Sequence, residues 1–148
     1  MTSGPRLRRW AWASLRGAGW APLTVFVAHA GLAPFWSGMP GPDFDQISHV
    51  AGGLAMAYFL ARALREAEIT AGYPPTPAPL AMVGVFCATV TVAVGWEFAE
   101  HTVDRWFGSR LQASQADTML DLLLGMVGAL AYLAAARLRP SRRRGPRA

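Results

Sequence analysis

Long apolar runs dominate the chain, and short polar breaks separate them. Four runs approach the roughly 20 residues that a membrane-spanning helix needs. They cover residues 20–36, 45–64, 80–103 and 117–138. His29, Gly31 and Pro34 interrupt the first. The stretch Tyr73 to Pro79, YPPTPAP, cannot be helical, because its prolines lack donors and fix the backbone. It is a linker between the second and third runs, and the loop from Trp106 to Ser114 divides the third from the fourth. The pattern predicts an all-α, polytopic transmembrane bundle of about four spans over residues 20–138. A basic segment, residues 1–19, precedes it, and a basic tail, residues 139–148, follows.

Composition agrees with that pattern. Hydrophobic residues make up 53% and charged residues 16%, well under the roughly 25% charged of an ordinary soluble domain. The net charge of +5 comes from arginine alone, and its distribution sets the expected orientation. Arg6, Arg8, Arg9 and Arg16 precede the first span, and Arg62 and Arg65 end the second. Arg137, Arg139, Arg142, Arg143, Arg144 and Arg147 end or follow the fourth, whereas the other two loops hold only Arg105 and Arg110. Both termini and the proline linker are therefore expected in the cytoplasm, with the basic ends resting on anionic lipid. No aromatic-rich basic surface or nucleic-acid motif accompanies the charge, so a nucleic-acid partner is not expected. The first run has a second reading: arginines, a short apolar stretch and Ala28-His29-Ala30 resemble a secretory signal with its cleavage site. The apolar run continues to Trp36, which suits a retained helix.

Seven of the nine carboxylates fall in three clusters at the ends of these runs. Charges there are costly, so their placement is informative. Asp43 and Asp45 accompany His49. Glu97, Glu100, His101 and Asp104 form the second group, and Asp117 and Asp121 the third. The alternating directions of the spans bring all three to the outer side. Asp45 and His49 are i,i+4, Glu97 to Asp104 follow i, i+3, i+4, i+7, and Asp117 and Asp121 are i,i+4, so each cluster shares one helix face. Gly52 and Gly53 lie below His49, and Gly125 and Gly128 below Asp121, where small residues let helices pack closely. In the third span, Gly84, Ala88, Thr91 and Gly95 form a small-residue stripe opposite the acids, which predicts a central helix contacted on both sides.

Carboxylates with one or two imidazoles are ligands for a divalent cation. The candidate ligands are Asp45, His49, Glu97, Glu100, His101, Asp117 and Asp121. Such an ion can polarise a phosphate or carbonyl and activate water. In that case Glu97, Glu100 and Asp121 serve as ligands or base and His49 as ligand or acid. Without a metal, the same carboxylates can move protons or simply fix helix register. A proton or ion pathway needs polar groups on the inner half too, and Thr89 and Thr91 are almost all the sequence offers. Glu97-Phe98-Ala99-Glu100-His101 is not a zinc-protease motif, and no nucleophile elbow or phosphate loop is present. His29 stands alone in its span and reads as a packed or hydrogen-bonded histidine. Cys87, the single cysteine, reads as a small buried apolar residue.

Three segments resemble a known family in order. Phe44-Asp45-x-x-x-His49 followed by Gly52-Gly53 resembles the aromatic-Asp-x-x-x-His-Gly motif of the VanZ-like and YjdF-like bacterial inner-membrane proteins. Trp96-Glu97-Phe98-Ala99-Glu100 resembles the W-E-x-x-E motif of the YjdF-like branch. Gln115-Ala116-Asp117-Thr118-Met119-Leu120-Asp121, with Gly125 and Gly128, resembles its Q-x-D-T-x-x-D segment. Members of that branch are usually longer, and the VanZ-like pattern often has Asn where this chain has Asp121. The resemblance implies a small multi-pass protein of the bacterial inner membrane with a link to the cell envelope. The expected function is a pocket on the outer side that takes a divalent cation or a polar headgroup. Metal-assisted chemistry on a lipid-linked envelope substrate is the alternative, and an ion pathway the third.

Overall fold

The computed structural model describes residues 4–36 and 43–138. The arginine-rich tail from residue 139, with its expected lipid contact, lies outside the described residues. Five helices form in chain order: α1 (Gly4–Ala18), α2 (Trp20–Trp36), α3 (Phe44–Glu66), α4 (Ala78–Phe107) and α5 (Gln115–Leu138). The described residues hold no strand. Three helices, α3 to α5, are long and apolar enough to cross a membrane, and α2 is a shorter apolar helix. The bounds of α2 to α5 lie within four residues of the four apolar runs.

Local chemistry sets the ends. Asp43 accepts from the backbone N–H of Asp45 at 3.3 Å and caps α3. A five-residue π-helical turn, Ala67–Ala71, follows α3, and Gly72, at φ +73°, ends it. The proline linker then runs exposed to Pro77, and Pro79 lies in the first turn of α4, where its missing N–H has no helical partner to lose. Gly108, at φ +67°, stops α4.

The interior is built of small residues and the outside of large ones. Ala57, Val85, Ala129 and Leu133 form the buried core, with Leu60, Met82, Phe86 and Tyr132 packed against it. Leu80, Val83, Leu123, Val127 and Leu130 are exposed on α4 and α5, and so is Cys87, which corrects its expected burial: it lies on the outward side of α4. That distribution suits a hydrocarbon surrounding, where large apolar side chains need no burial and small ones let backbones approach.

The hub is α3, which packs against α1, α2, α4 and α5. The expected central role of the third span is therefore corrected: the backbone of α4 approaches only α3 and α5 among the described elements, and Trp96 alone reaches across to Phe26 and His29 of α2. Its stripe lies largely open, with nothing within 4 Å of a methyl placed at Gly84 or Gly95 and with Thr91 exposed. The tightest crossing is α3 with α5. A methyl at Gly53 would overlap the carbonyl oxygen of Gly125, and one at Gly128 would overlap that of Val50. Gly52 does not share this role, because a methyl there meets only Val25 of α2, at 3.9 Å.

The basic N-terminal segment is a helix in its own right. Trp10, Ser14 and Ala18, at i, i+4, i+8, turn one side of α1 inward, and Trp10 Nε1 donates to the carbonyl of Ala63 on α3 at 2.8 Å. Arg8, Trp12 and Leu15 stay exposed on the opposite side, with the Arg16 guanidinium over the Trp12 ring at 5.5 Å.

Candidate functional site

The glycine crossing of α3 and α5 places His49 beside Asp121, and α4 closes the third side with Glu97 and Glu100. His49 is the centre. Its Nε2 lies 3.4 Å from Asp45 Oδ1 and 3.9 Å from Asp121 Oδ1, and its Nδ1 lies 3.9 Å from Glu97 Oε1. Two overlapping sets have ligand atoms within 4.8 Å of one another: Asp45, His49 and Asp121, and His49, Glu97 and Glu100. Exposure falls to 3% at Asp121, 6% at Glu97 and 7% at Glu100, so water reaches none of these side chains freely.

The hydrogen bonds around the cluster leave two oxygens over. Gln112 Nε2 donates to the backbone oxygen of Glu97 and to its Oε2, both at 3.0 Å. Trp96 Nε1 donates to Glu100 Oε1 at 2.8 Å. Glu97 Oε1 and Asp121 Oδ1 are buried and have no hydrogen-bond partner. Both belong to the contacts with His49 at 3.9 Å, which is beyond hydrogen-bond reach. A buried carboxylate oxygen without a donor is costly, and an ion or a proton resolves that cost.

The remaining acids serve the backbone. Asp104 accepts from Ser109 Oγ at 2.6 Å and from the backbone N–H groups of Leu111 at 2.8 Å and Gln112 at 2.9 Å. It folds the loop between α4 and α5 back on itself, and so delivers Gln112 to Glu97. Ser114 Oγ accepts from the N–H of Asp117 at 3.1 Å, and Asp117 Oδ2 accepts from that of Ala113 at 3.3 Å, which caps α5. His101 is exposed on α4. Of the seven sequence-derived candidates, Asp45, His49, Glu97, Glu100 and Asp121 therefore come together. His101 and Asp117 belong to neither ligand set among the described residues.

His29 is not alone. Its Nδ1 lies 2.8 Å from Ser48 Oγ and 3.7 Å from Asp45 Oδ1, and its ring stacks on Phe44 and meets Trp96 edge-on. Ser48, Trp96 and Gln112 add polar contacts. Trp96 opens the W-E-x-x-E segment and stands four residues before Glu100, Ser48 is signalled only by its place beside His49, and Gln112 by nothing at all.

A cavity of about 320 Å³ runs from His49 into the bundle. Leu23 and Phe26 of α2 form one wall, Val92 and Trp96 of α4 the other, and Gly52 and Met56 of α3 the floor. Phe26 and Trp96 meet edge-to-face at 5.7 Å across it. The apolar cleft and the acidic cluster thus share His49.

Neither a curated protein nor a solved structure matches the chain. A family model described as "Predicted membrane protein (DUF2238)" matches residues 18–142, which takes in α2 to α5 and every residue of the cluster. The protein therefore belongs to the DUF2238 family of predicted membrane proteins.

Proposed function

We propose that this membrane protein binds one divalent cation at its outward-facing end. The ligands are Asp45, His49 through Nε2 and Asp121, with Glu97 and Glu100 adjoining on the Nδ1 side of the ring. One observation carries the proposal: Asp121 Oδ1 is buried without a donor and faces the same imidazole nitrogen as Asp45 Oδ1. A mixed imidazole and carboxylate set is borderline in softness and suits Zn²⁺ or Mn²⁺ better than an all-oxygen ion. Ligand atoms 3.4 to 3.9 Å apart are compatible with one ion at about 2.0–2.2 Å from each nitrogen or oxygen.

The arginine distribution supports the orientation. Arg16, Arg62, Arg65 and Arg137 lie at the end of the bundle away from the cluster, so the cytoplasm takes that end and the cluster faces out. With α2 as a fourth, short span, both termini are cytoplasmic. The ordered motifs at Phe44–Gly53, Trp96–Glu100 and Gln115–Gly128 support a place among VanZ-like and YjdF-like proteins of the bacterial inner membrane, with an envelope-related role.

Elemental analysis of detergent-purified protein tests the site. Wild type is expected to carry about one ion per chain, Asp121→Asn to lose it while remaining folded, and Glu97→Gln, on the other ring nitrogen, to keep it. Wild type without stoichiometric metal, after purification without chelator and incubation with Zn²⁺ or Mn²⁺, overturns the proposal.

A further inference from the structure

We propose that the cleft between α2 and α4 holds one hydrocarbon chain of a membrane lipid, whose hydroxyl- or ammonium-bearing headgroup sits at the His29–Ser48 end. The volume, about 320 Å³, falls at the lower end of the roughly 300–1,000 Å³ typical of ligand pockets. Its lining is apolar apart from His29, Ser48, His49 and Thr89, and the Thr89 hydroxyl is already spent on the carbonyl of Val85 at 2.8 Å. The cleft opens sideways: α2 and α4 make no backbone contact, and Leu23, Phe26 and Val92 line it while remaining exposed. Two of its walls, α3 and α4, are helices of membrane-spanning length. The medium on the open side is therefore hydrocarbon, and a chain entering from it restores the dispersion contacts that an unfilled slot forfeits.

The polar end defines the headgroup. Ser48 donates its one hydroxyl hydrogen to the carbonyl of Asp45 at 2.7 Å, so the 2.8 Å contact with His29 requires Nδ1 of His29 to be the donor. In a neutral ring Nε2 is then an acceptor. With the carboxylates of the cluster next to it, this end offers acceptors and asks for a donor. A lipid ammonium or hydroxyl supplies one, and a choline headgroup does not. Neither the cleft nor the His29–Ser48 contact requires a bound cation.

The test is photolabelling in nanodiscs with phosphatidylethanolamine, phosphatidylglycerol and phosphatidylcholine that carry the same diazirine acyl chain. Labelling is expected to be enriched several-fold on peptides bearing Leu23, Phe26 and Val92 over those bearing the outward Val83 and Leu130. Enrichment with the ethanolamine lipid identifies an ammonium headgroup and with the glycerol lipid a hydroxyl one, and each is expected to exceed the choline lipid. Gly52→Leu fills the floor without touching the carboxylates and is expected to abolish the enrichment. Met56→Phe narrows the same floor one turn further along and serves if Gly52→Leu does not fold. Even labelling of cleft and outer residues, labelling by the choline lipid as strong as by the others, or enrichment that survives the filling variant overturns the proposal. Metal content measured on the same samples separates the two proposals: Gly52→Leu is expected to lose the lipid and keep its ion content unchanged.

Discussion

The two sides of α3 differ by one residue in sequence and by almost everything in packing. Gly53 presses on the backbone of Gly125, and Gly128 presses on that of Val50, so this side has no space for a methyl group. Gly52, its neighbour, opens on the cleft, and its nearest non-local atom beyond a methyl is a valine side chain at 3.9 Å. Glycine here does two jobs. On one side it permits contact and fixes where Asp121 meets His49. On the other it leaves a slot. The lesson is that a pair of glycines in a membrane helix need not form one interface.

Substitution separates the two jobs most sharply at the tight side. Gly53→Ala and Gly128→Ala each force backbone away from backbone, and overpacking of this kind costs about 1–3 kcal/mol, here at the upper end because no side chain can give way. Denaturation of the protein in mixed micelles is expected to show both variants strongly destabilised. The His49 cluster is expected to open with them, read as loss of metal from the fraction that remains folded. If either variant unfolds like wild type, the contrast between the two sides fails.

A smaller effect is expected where both sides converge, at the mouth. Gln112→Ala removes the side-chain donor to Glu97 and leaves Oε2 as a second unpartnered oxygen beside Oε1. Stranding a buried acceptor costs about 1–3 kcal/mol, and the loop position of Gln112 lets water recover part of it, so about 1 kcal/mol is expected by the same denaturation measurement. The smallest effect is predicted for Gly52→Ala. The added methyl meets ordinary contact distance, and the roughly 0.8–1.0 kcal/mol gained in helix propensity offsets any narrowing of the slot. Stability equal to or slightly above wild type is the expected outcome, and a loss comparable to that of Gly53→Ala would show that the cleft side is packed after all.

Much of the element order follows from the sequence, because membrane-length apolar runs and a proline linker leave few alternatives. The Asp45–His49 pair and the convergence of Glu97, Glu100 and Asp121 follow from helical spacing together with alternating span direction. The facing of the glycines does not. Gly52 and Gly53 differ by about 100° around the helix, and which of them meets α5 depends on the crossing, which apolar periodicity does not encode. The hub role of α3 was hidden for a related reason: lipid and protein neighbours are both apolar, so a hydrophobic face does not say which it touches. Asp104 and Asp117 carry the same charge as the cluster acids, but Asp117 sits at the N-terminus of α5, where unpaired backbone N–H groups draw carboxylates into capping, and Asp104 is taken up by N–H groups of the loop after α4. The arginines of residues 1–19 mask α1, although Trp10, Ser14 and Ala18 mark an inward side.

The tight crossing also sets an order of events during synthesis. Gly125 follows Gly53 by 72 positions in the chain. At about 5–20 residues per second, α3 waits several seconds in the bilayer before the helix that complements it has been made. Throughout that interval its close-packing side is uncovered, and the same side of a neighbouring nascent chain is the nearest substitute. Biogenesis therefore depends on how quickly the α4–α5 hairpin follows, and the short Asp104-organised loop, which turns α5 back promptly after α4, shortens the wait.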